Sequence, residues 1–289
     1  QALGPTHPDT AQSLNNLAVY LKKTGDPADL AAARPLYERA LAIWEEALGP
    51  THPDTATGLE NLAGHLVGTG DPADRAAAHP LYERALAVNE TCYGPNSPQV
   101  ANNLYGLGTV LSQLGKYDEA EQYLRRELAI SIAQSGEQDP GTMASMDNLA
   151  EILEAKGDFD AMVEMRRRQL QLLEQSAGPL HENTLRVMQN LAVSLRNAGR
   201  LEEAGPLQRE ALVRFISAYG EEGLLTANSY SAMGALLKLK GDYAEAERFF
   251  RKSLAIREKE LGPEDEATQL VRARLEELLA DKETQYLQS

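Results

Sequence analysis

Apolar residues recur along the chain at helical spacing, in blocks that close on glycine. Leu14, Leu17, Ala18 and Leu21 fall at i, i+3, i+4 and i+7, one face of a helix over about Asp9 to Thr24. Gly25 closes that block, and Gly70, Gly115, Gly157, Gly199 and Gly241 close its later counterparts. Glycine suits the left-handed conformation that ends helices. A second periodic block follows each closure, as in Tyr117-Asp118-Glu119-Ala120-Glu121-Gln122-Tyr123-Leu124. Small residues recur where the two helices must approach: Ala18 in the first (helix A), Ala33 and Ala40 in the second (helix B). Tyr37, Tyr82, Leu124 and Phe250 supply bulk between them.

These pairs repeat. Leu48-Gly49-Pro50-Thr51-His52-Pro53-Asp54-Thr55 copies Leu3-Gly4-Pro5-Thr6-His7-Pro8-Asp9-Thr10 after 45 residues. Weaker Gly-Pro junctions begin at Tyr93, Ala177 and Leu261, and Gly136 and Gly220 keep the glycine alone. The first two steps are 45 residues and the later ones 42. The fold class read from this is all-α. A single domain over 1–289 would hold repeats at about 3–47, 48–92, 93–134, 135–176, 177–218 and 219–260. A capping helix would lie within 261–285, with Arg272, Arg274, Glu276 and Glu277 as its polar outer face. One helix pair cannot bury its own apolar face, whereas stacked pairs can. Pairs leaning the same way predict a right-handed α-solenoid, a superhelix whose concave wall is lined by the A helices.

Two local expectations follow. The three extra residues of the first two repeats lie in Asp26-Pro27-Ala28-Asp29-Leu30 and Asp71-Pro72-Ala73-Asp74-Arg75, and should lengthen or reshape the A–B turn. Gln1-Ala2-Leu3-Gly4 matches Glu46-Ala47-Leu48-Gly49, the end of a helix B. The chain is therefore expected to be a piece of a longer protein, with an open first-repeat face through which it could form a homo-oligomer.

Composition narrows the function classes. The chain is 43% hydrophobic but only 6% aromatic, and rich in the helix formers Ala, Leu, Glu and Arg. Its net charge of −15 repels a phosphate backbone and disfavours nucleic acid as partner. Arg166, Arg167 and Arg168 form the one dense basic cluster, and helical spacing should spread them over a solvated face. A lone cysteine, Cys92, cannot make an internal disulfide, which suits a reducing compartment. No apolar stretch approaches the ~18 residues that span a bilayer. A cytoplasmic location, with no membrane partner, is the expectation.

Catalytic motifs are missing from the sequence. There is no Gly-x-x-x-x-Gly-Lys-[Ser/Thr] loop and no Gly-x-Ser-x-Gly elbow. His7-Pro8-Asp9 and His52-Pro53-Asp54 recur with the repeat and read as junctions. His7, His52 and His181 hold equivalent places in different repeats, too far apart to share a metal, since packed helices lie about 10 Å apart. His65 and His79 read as packing or surface residues. Asn89-Glu90-Thr91 fits a glycosylation pattern but falls inside a helix. No enzyme activity, cofactor or metal is expected.

Leu14-Asn15-Asn16-Leu17-Ala18, followed by Pro35-Leu36-Tyr37-Glu38-Arg39-Ala40-Leu41-Ala42-Ile43, resembles the 42-residue tetratricopeptide repeats (TPRs) of kinesin light chain. The likeness departs in the fourth repeat, where Met162 and Gln169 replace small residues. It departs in the fifth, where Gly205-Pro206 should interrupt helix B. The resemblance implies a protein-binding scaffold that holds an extended peptide in its concave groove. An asparagine before the central leucine of helix A commonly holds the peptide backbone in that family. The position reads Asn16, Asn61, Gly106, Asn148, Asn190 and Ala232 here. A carboxamide donates and accepts, so it can pair with a peptide unit in either direction. The same asparagines can instead bond neighbouring helices and stiffen the stack, and both roles stay open at this point.

The expected groove residues are Asn15, Asn16, Asn61, Asn102, Tyr105, Asn148, Arg186, Asn190, Arg196, Asn228 and Lys238. Arg186, Arg196 and Lys238 make the C-terminal half basic, which would favour an acidic or carboxylate-bearing partner segment. The competing function is an assembly or sensor module of a larger signalling protein, acting through domain packing or self-association.

Overall fold

The computed structural model describes residues 4–288, and every regular element among them is an α-helix. Contacts divide the chain into two compact units, residues 1–156 and 157–289. Unit 1 holds α1 (Pro8–Thr24), α2 (Pro27–Ala47), α3 (Pro53–Gly68), α4 (Pro72–Tyr93), α5 (Pro98–Gln113), α6 (Tyr117–Ser135) and α7 (Pro140–Lys156). Unit 2 holds α8 (Phe159–Ser176), α9 (Glu182–Asn197), α10 (Leu201–Tyr219), α11 (Leu224–Leu239), α12 (Tyr243–Glu260) and α13 (Glu266–Gln288). Within each unit every helix packs on the next. The likeness of Gln1-Ala2-Leu3 to a helix end falls outside the described residues.

The copied junction is a helix-start device. Gly49 takes φ +90°, a conformation only glycine adopts freely, and its carbonyl accepts the Thr55 hydroxyl at 2.8 Å. Nδ1 of His52 accepts the Asp54 N–H at 3.1 Å, which satisfies one of the orphan donors of α3. Pro53 then occupies the first turn, where its missing N–H is harmless. His7 and His181 cap α1 and α9 in the same way. Ser97 caps α5 and Asp139 binds the first N–H groups of α7. The His-Pro-Asp tripeptides are therefore caps, with their Nδ1 atoms engaged.

Helix A ends on a second glycine. At Gly115 (φ +74°) the Lys116 N–H reaches back to the Leu111 carbonyl at 2.8 Å, a Schellman closure.

Three local expectations are corrected. The inserted residues do not lengthen the A–B turn; they extend helix B at its start. Asp26 caps α2 through Ala28 N–H at 2.8 Å, Pro27 opens the helix, and Asp29 accepts the Thr24 hydroxyl at 2.8 Å. Asp71 and Pro72 start α4 likewise, so α2 and α4 run 21 and 22 residues against 19 in α6. Gly205-Pro206 does not interrupt α10, which is continuous from Leu201 to Tyr219. Pro35 and Pro80 stand at the same register in α2 and α4, also inside helices. All three prolines are exposed, so each carbonyl they release is open to water. Arg166 is not on a solvated face but buried, at the register held by Tyr37, Tyr82, Leu124 and Phe250 elsewhere. Met162 and Gln169 are fully buried where small residues were expected.

The core of unit 1 joins Tyr37, Leu41, Leu59, Leu62 and Leu66 with the alanines that let the helices approach: Ala18, Ala33, Ala63 and Ala78. Trp44, 1% exposed, packs with Ala11, Ala40 and Ile43 beside it. His65 is buried against the Tyr37 ring at 5.5 Å, and burial lowers its pKa, so the neutral form is favoured. Asn89 is buried too, which removes it as a glycosylation acceptor. In unit 2, Leu185, Met188, Leu195, Phe215, Tyr230 and Phe250 form the equivalent interior.

Candidate functional site: the A-helix surface of unit 1

The A helices of unit 1 carry two depressions. The larger, about 460 Å³, is bounded by Val19, Lys22 and Lys23 of α1, Glu60, Asn61 and Gly64 of α3, and Asn102 of α5. Tyr37 and Tyr82 reach into it from the B helices. The second, about 230 Å³, lies between α5 and α7 and includes Tyr105, Thr109, Ser112, Asn148 and Glu151, with Leu124 from α6. Four of the expected groove residues, Asn61, Asn102, Tyr105 and Asn148, thus line open space.

The asparagines divide between the two roles. Asn15 is buried and accepts from Asn61 Nδ2 at 3.0 Å, a bond between successive A helices. Asn15 is thus a packing residue, not an exposed contact, because the next A helix covers it. Asn16 is exposed and accepts from Gln12 at 2.9 Å within α1. Asn148 is half-buried and makes no side-chain hydrogen bond within the described residues. The gap in the series at Gly106 has a steric cause: a Cβ there would lie 2.5 Å from the Tyr82 ring.

The charges of the larger depression are only partly satisfied. Lys22 Nζ donates to the Gly64 carbonyl at 2.7 Å, and burial lowers its pKa. The Glu60 carboxylate accepts from Asn89 Nδ2 at 2.7 Å, and Asn89 also donates to Asn103 Oδ1 at 2.8 Å. Burial raises the Glu60 pKa against the opposing effect of its amide partners. Tyr82 is pushed up to about 12, first by burial and then by the charge of Glu60. Sequence reasoning missed Lys22, Lys23, Glu60 and Tyr82. The legible signal for Glu60 was its place beside Asn61.

Unit 2 differs from the expectation of a basic groove. Lys238 is bound by two carboxylates of α13, Glu277 and Asp281, each at 2.8 Å. The same A-helix register in α1 is Lys22, which meets Gly64 instead and finds only a carbonyl. Asn228 accepts from Arg257, and Arg196 bonds Asn197 at 3.0 Å. Arg274 leaves the expected polar outer face of the last helix and reaches Ser231 at 3.3 Å. Arg186 is exposed and Asn190 half-buried.

The described residues hold no group of His, Cys, Asp or Glu that could bind a metal ion. No helix among them is long and apolar enough to cross a membrane. Stacked helix pairs, glycine-closed and presenting polar side chains from one helix of each pair, define a repeat scaffold of the protein–protein interaction kind. The chain belongs to the tetratricopeptide repeat family, whose models match residues 10–54, 74–133, 142–204 and 188–259.

Solved structures agree on the fold. A kinesin light chain-like protein of Podosopora anserina, built of nearly identical TPR-like repeats, superposes with a TM-score of 0.66 at 22% identity. That match covers 73% of this chain and 97% of the other. BtubC (BKLC) from P. vanneervenii gives 0.55 at 16% identity over 86% of this chain and 89% of its own. The apo form of RapI gives 0.53 at 13% identity, covering 87% and 84%. Among curated proteins none matches the sequence.

Proposed function

We propose that the chain is a scaffold that binds an extended peptide segment of a partner protein along the A helices of unit 1. The observation that carries this is the row of polar side chains lining the two depressions: Asn61 and Asn102 in one, Tyr105 and Asn148 in the other. Carboxamides serve a peptide backbone in either direction, and a preformed polar concavity limits the ordering cost of binding. The half-buried ammonium of Lys22, with one hydrogen bond and no carboxylate partner among the described residues, favours a carboxylate-bearing segment. Unit 2 supports such a segment less, since Lys238 already has two acidic partners.

One observation favours assembly as a second reading. Leu17 is 47% and Tyr20 67% exposed on α1, while their register equivalents Leu62 and His65 in α3 are buried. A helix packed on that face would cover both.

A pull-down from source-cell extract should compare the intact chain with one carrying Asn61, Asn102 and Asn148 all changed to alanine and Tyr105 to phenylalanine. Loss of the captured partner with helicity unchanged by circular dichroism is expected. The Asn61–Asn15 bond is worth about 1 kcal/mol net, too little for its loss to unfold the unit. Equal capture by both chains would move the function off the A-helix surface, and onto the α1 face if capture falls when Leu17 and Tyr20 are made polar.

A further inference from the structure

The larger depression of unit 1 has two poles of opposite sign. At one, the Glu60 carboxyl is half-buried and hydrogen-bonded only by neutral amides. At the other, Lys22 is held on the Gly64 carbonyl, with exposed Lys23 beside it. Neither Glu60 nor Lys22 has an ion-pair partner among the described residues. Elsewhere the surface charges of this chain are extensively paired, as in Arg34–Asp74, Lys156–Glu121 and Arg214–Glu174. Two partly desolvated, unpaired charges in one depression are costly to keep unless something completes them.

The residues that anchor the two poles, Glu60 itself and Gly64 beneath Lys22, both lie on α3. Glu60 and Gly64 are four residues apart on one helix face, about 6 Å along the axis. In an extended strand, side chains two residues apart share a face and lie about 6.6–6.8 Å apart. These two backbone spacings are close, and flexible side chains of a peptide can take up the remaining distance to the charged groups. The neutral groups between and around the poles, Asn61, Asn102 and the Tyr82 hydroxyl, suit the backbone of such a strand.

We infer that this depression recognises a doubly charged element of an extended peptide: a lysine or arginine and an aspartate or glutamate two residues apart, the cation on Glu60 and the carboxylate on Lys22. This deepens the peptide-scaffold reading and rests on it. Burial of the Glu60 carboxyl, which raises its pKa in the empty depression, makes an incoming cation more effective there than at a solvated glutamate.

A peptide-display selection on the whole chain tests it, with the enriched pool then measured by fluorescence polarisation. The expected result is enrichment of a cation-x-anion or anion-x-cation triplet. Glu60→Gln, isosteric and still able to accept from Asn89, should weaken binding of the enriched peptides at least tenfold, about 1.4 kcal/mol. It should also erase the preference for the cation and keep that for the anion. Lys22→Met should do the reverse. Unfolding midpoints close to the parent chain separate these effects from misfolding. Enriched peptides without the cation, or equal affinity for Glu60→Gln, would overturn the inference and leave the scaffold reading standing. Failure to enrich any peptide would overturn both.

Discussion

Trp44→Ala is expected to lower stability by about 3–5 kcal/mol, the largest loss from any single truncation in unit 1. The indole is 1% exposed and is the largest fully buried side chain of the chain. It sits where α2 meets α1 and α3, with Ala11 and Ala40 beside it, and Gly58 leaves room for its ring: a Cβ there would lie 2.9 Å away. Alanine would remove that packing and leave a void that its small neighbours Ala11, Ala40 and Gly58 cannot close and Ile43 fills only in part. In a repeat protein such damage is local, because each repeat leans only on its neighbours. Hydrogen exchange should therefore show protection lost in α1–α3 and retained in α9–α12, with denaturant unfolding followed by circular dichroism because Trp44 is the sole tryptophan. A loss under 1 kcal/mol, or one spread evenly over both units, would show that the indole does not organise the first repeats.

The second large effect has a sign that runs against helix propensity. Gly108 lies inside α5, where alanine would ordinarily gain about 1 kcal/mol. A Cβ at Gly108 would sit 2.6 Å from Leu124 Cγ and 2.7 Å from Cδ2, and Leu124 is itself buried against α5. The helices of the third repeat would have to part, or Leu124 leave its rotamer, at a cost of about 1–3 kcal/mol. The net expectation is destabilisation of up to about 2 kcal/mol, whereas Gly68→Ala at the exposed end of α3, with nothing nearer than 4.0 Å, should be neutral or stabilising. Measured unfolding free energies should place Gly108→Ala below both the parent chain and Gly68→Ala. Stabilisation by Gly108→Ala would mean the α5–α6 approach is looser than the geometry states.

What was legible in the sequence was whatever repeats. Period, pair boundaries and closing glycines could be read because each recurs with one physical cause, a left-handed turn or an apolar face. The departures arose where two local rules competed. The inserted Asp-Pro segments looked like a longer turn, yet Asp followed by Pro is also the start of a helix, and in α2 and α4 that role prevails. Pro206 looked like a breaker because its missing N–H counts heavily in isolation, but on the exposed side of α10 the orphaned carbonyl finds water. Arg166 looked solvated because charge usually is, and only its register, shared with Tyr37 and Phe250, marked it as interior.

The groove was legible at coarser grain. The asparagine series picked out Asn61 and Asn148, which line the depressions of unit 1, but residue type alone could not separate Asn15, buried and bonded to Asn61, from Asn148, open in its depression. Lys238 was read as an available cation because its partners Glu277 and Asp281 are distant in sequence and meet it only when α13 packs. Lys22 and Glu60 went unread for the converse reason: charged residues on helices are usually solvated pairs, and that these two have no ion-pair partner among the described residues is a property of the folded unit.

Site-specific photo-crosslinking tests the central claim most directly. A photoreactive residue at Asn102, on the larger depression, should capture the partner from extract, and one at Asp118, exposed at the start of α6, should not. Capture at Asp118 with none at Asn102 would contradict binding along the A helices and place the partner on the opposite helices of unit 1.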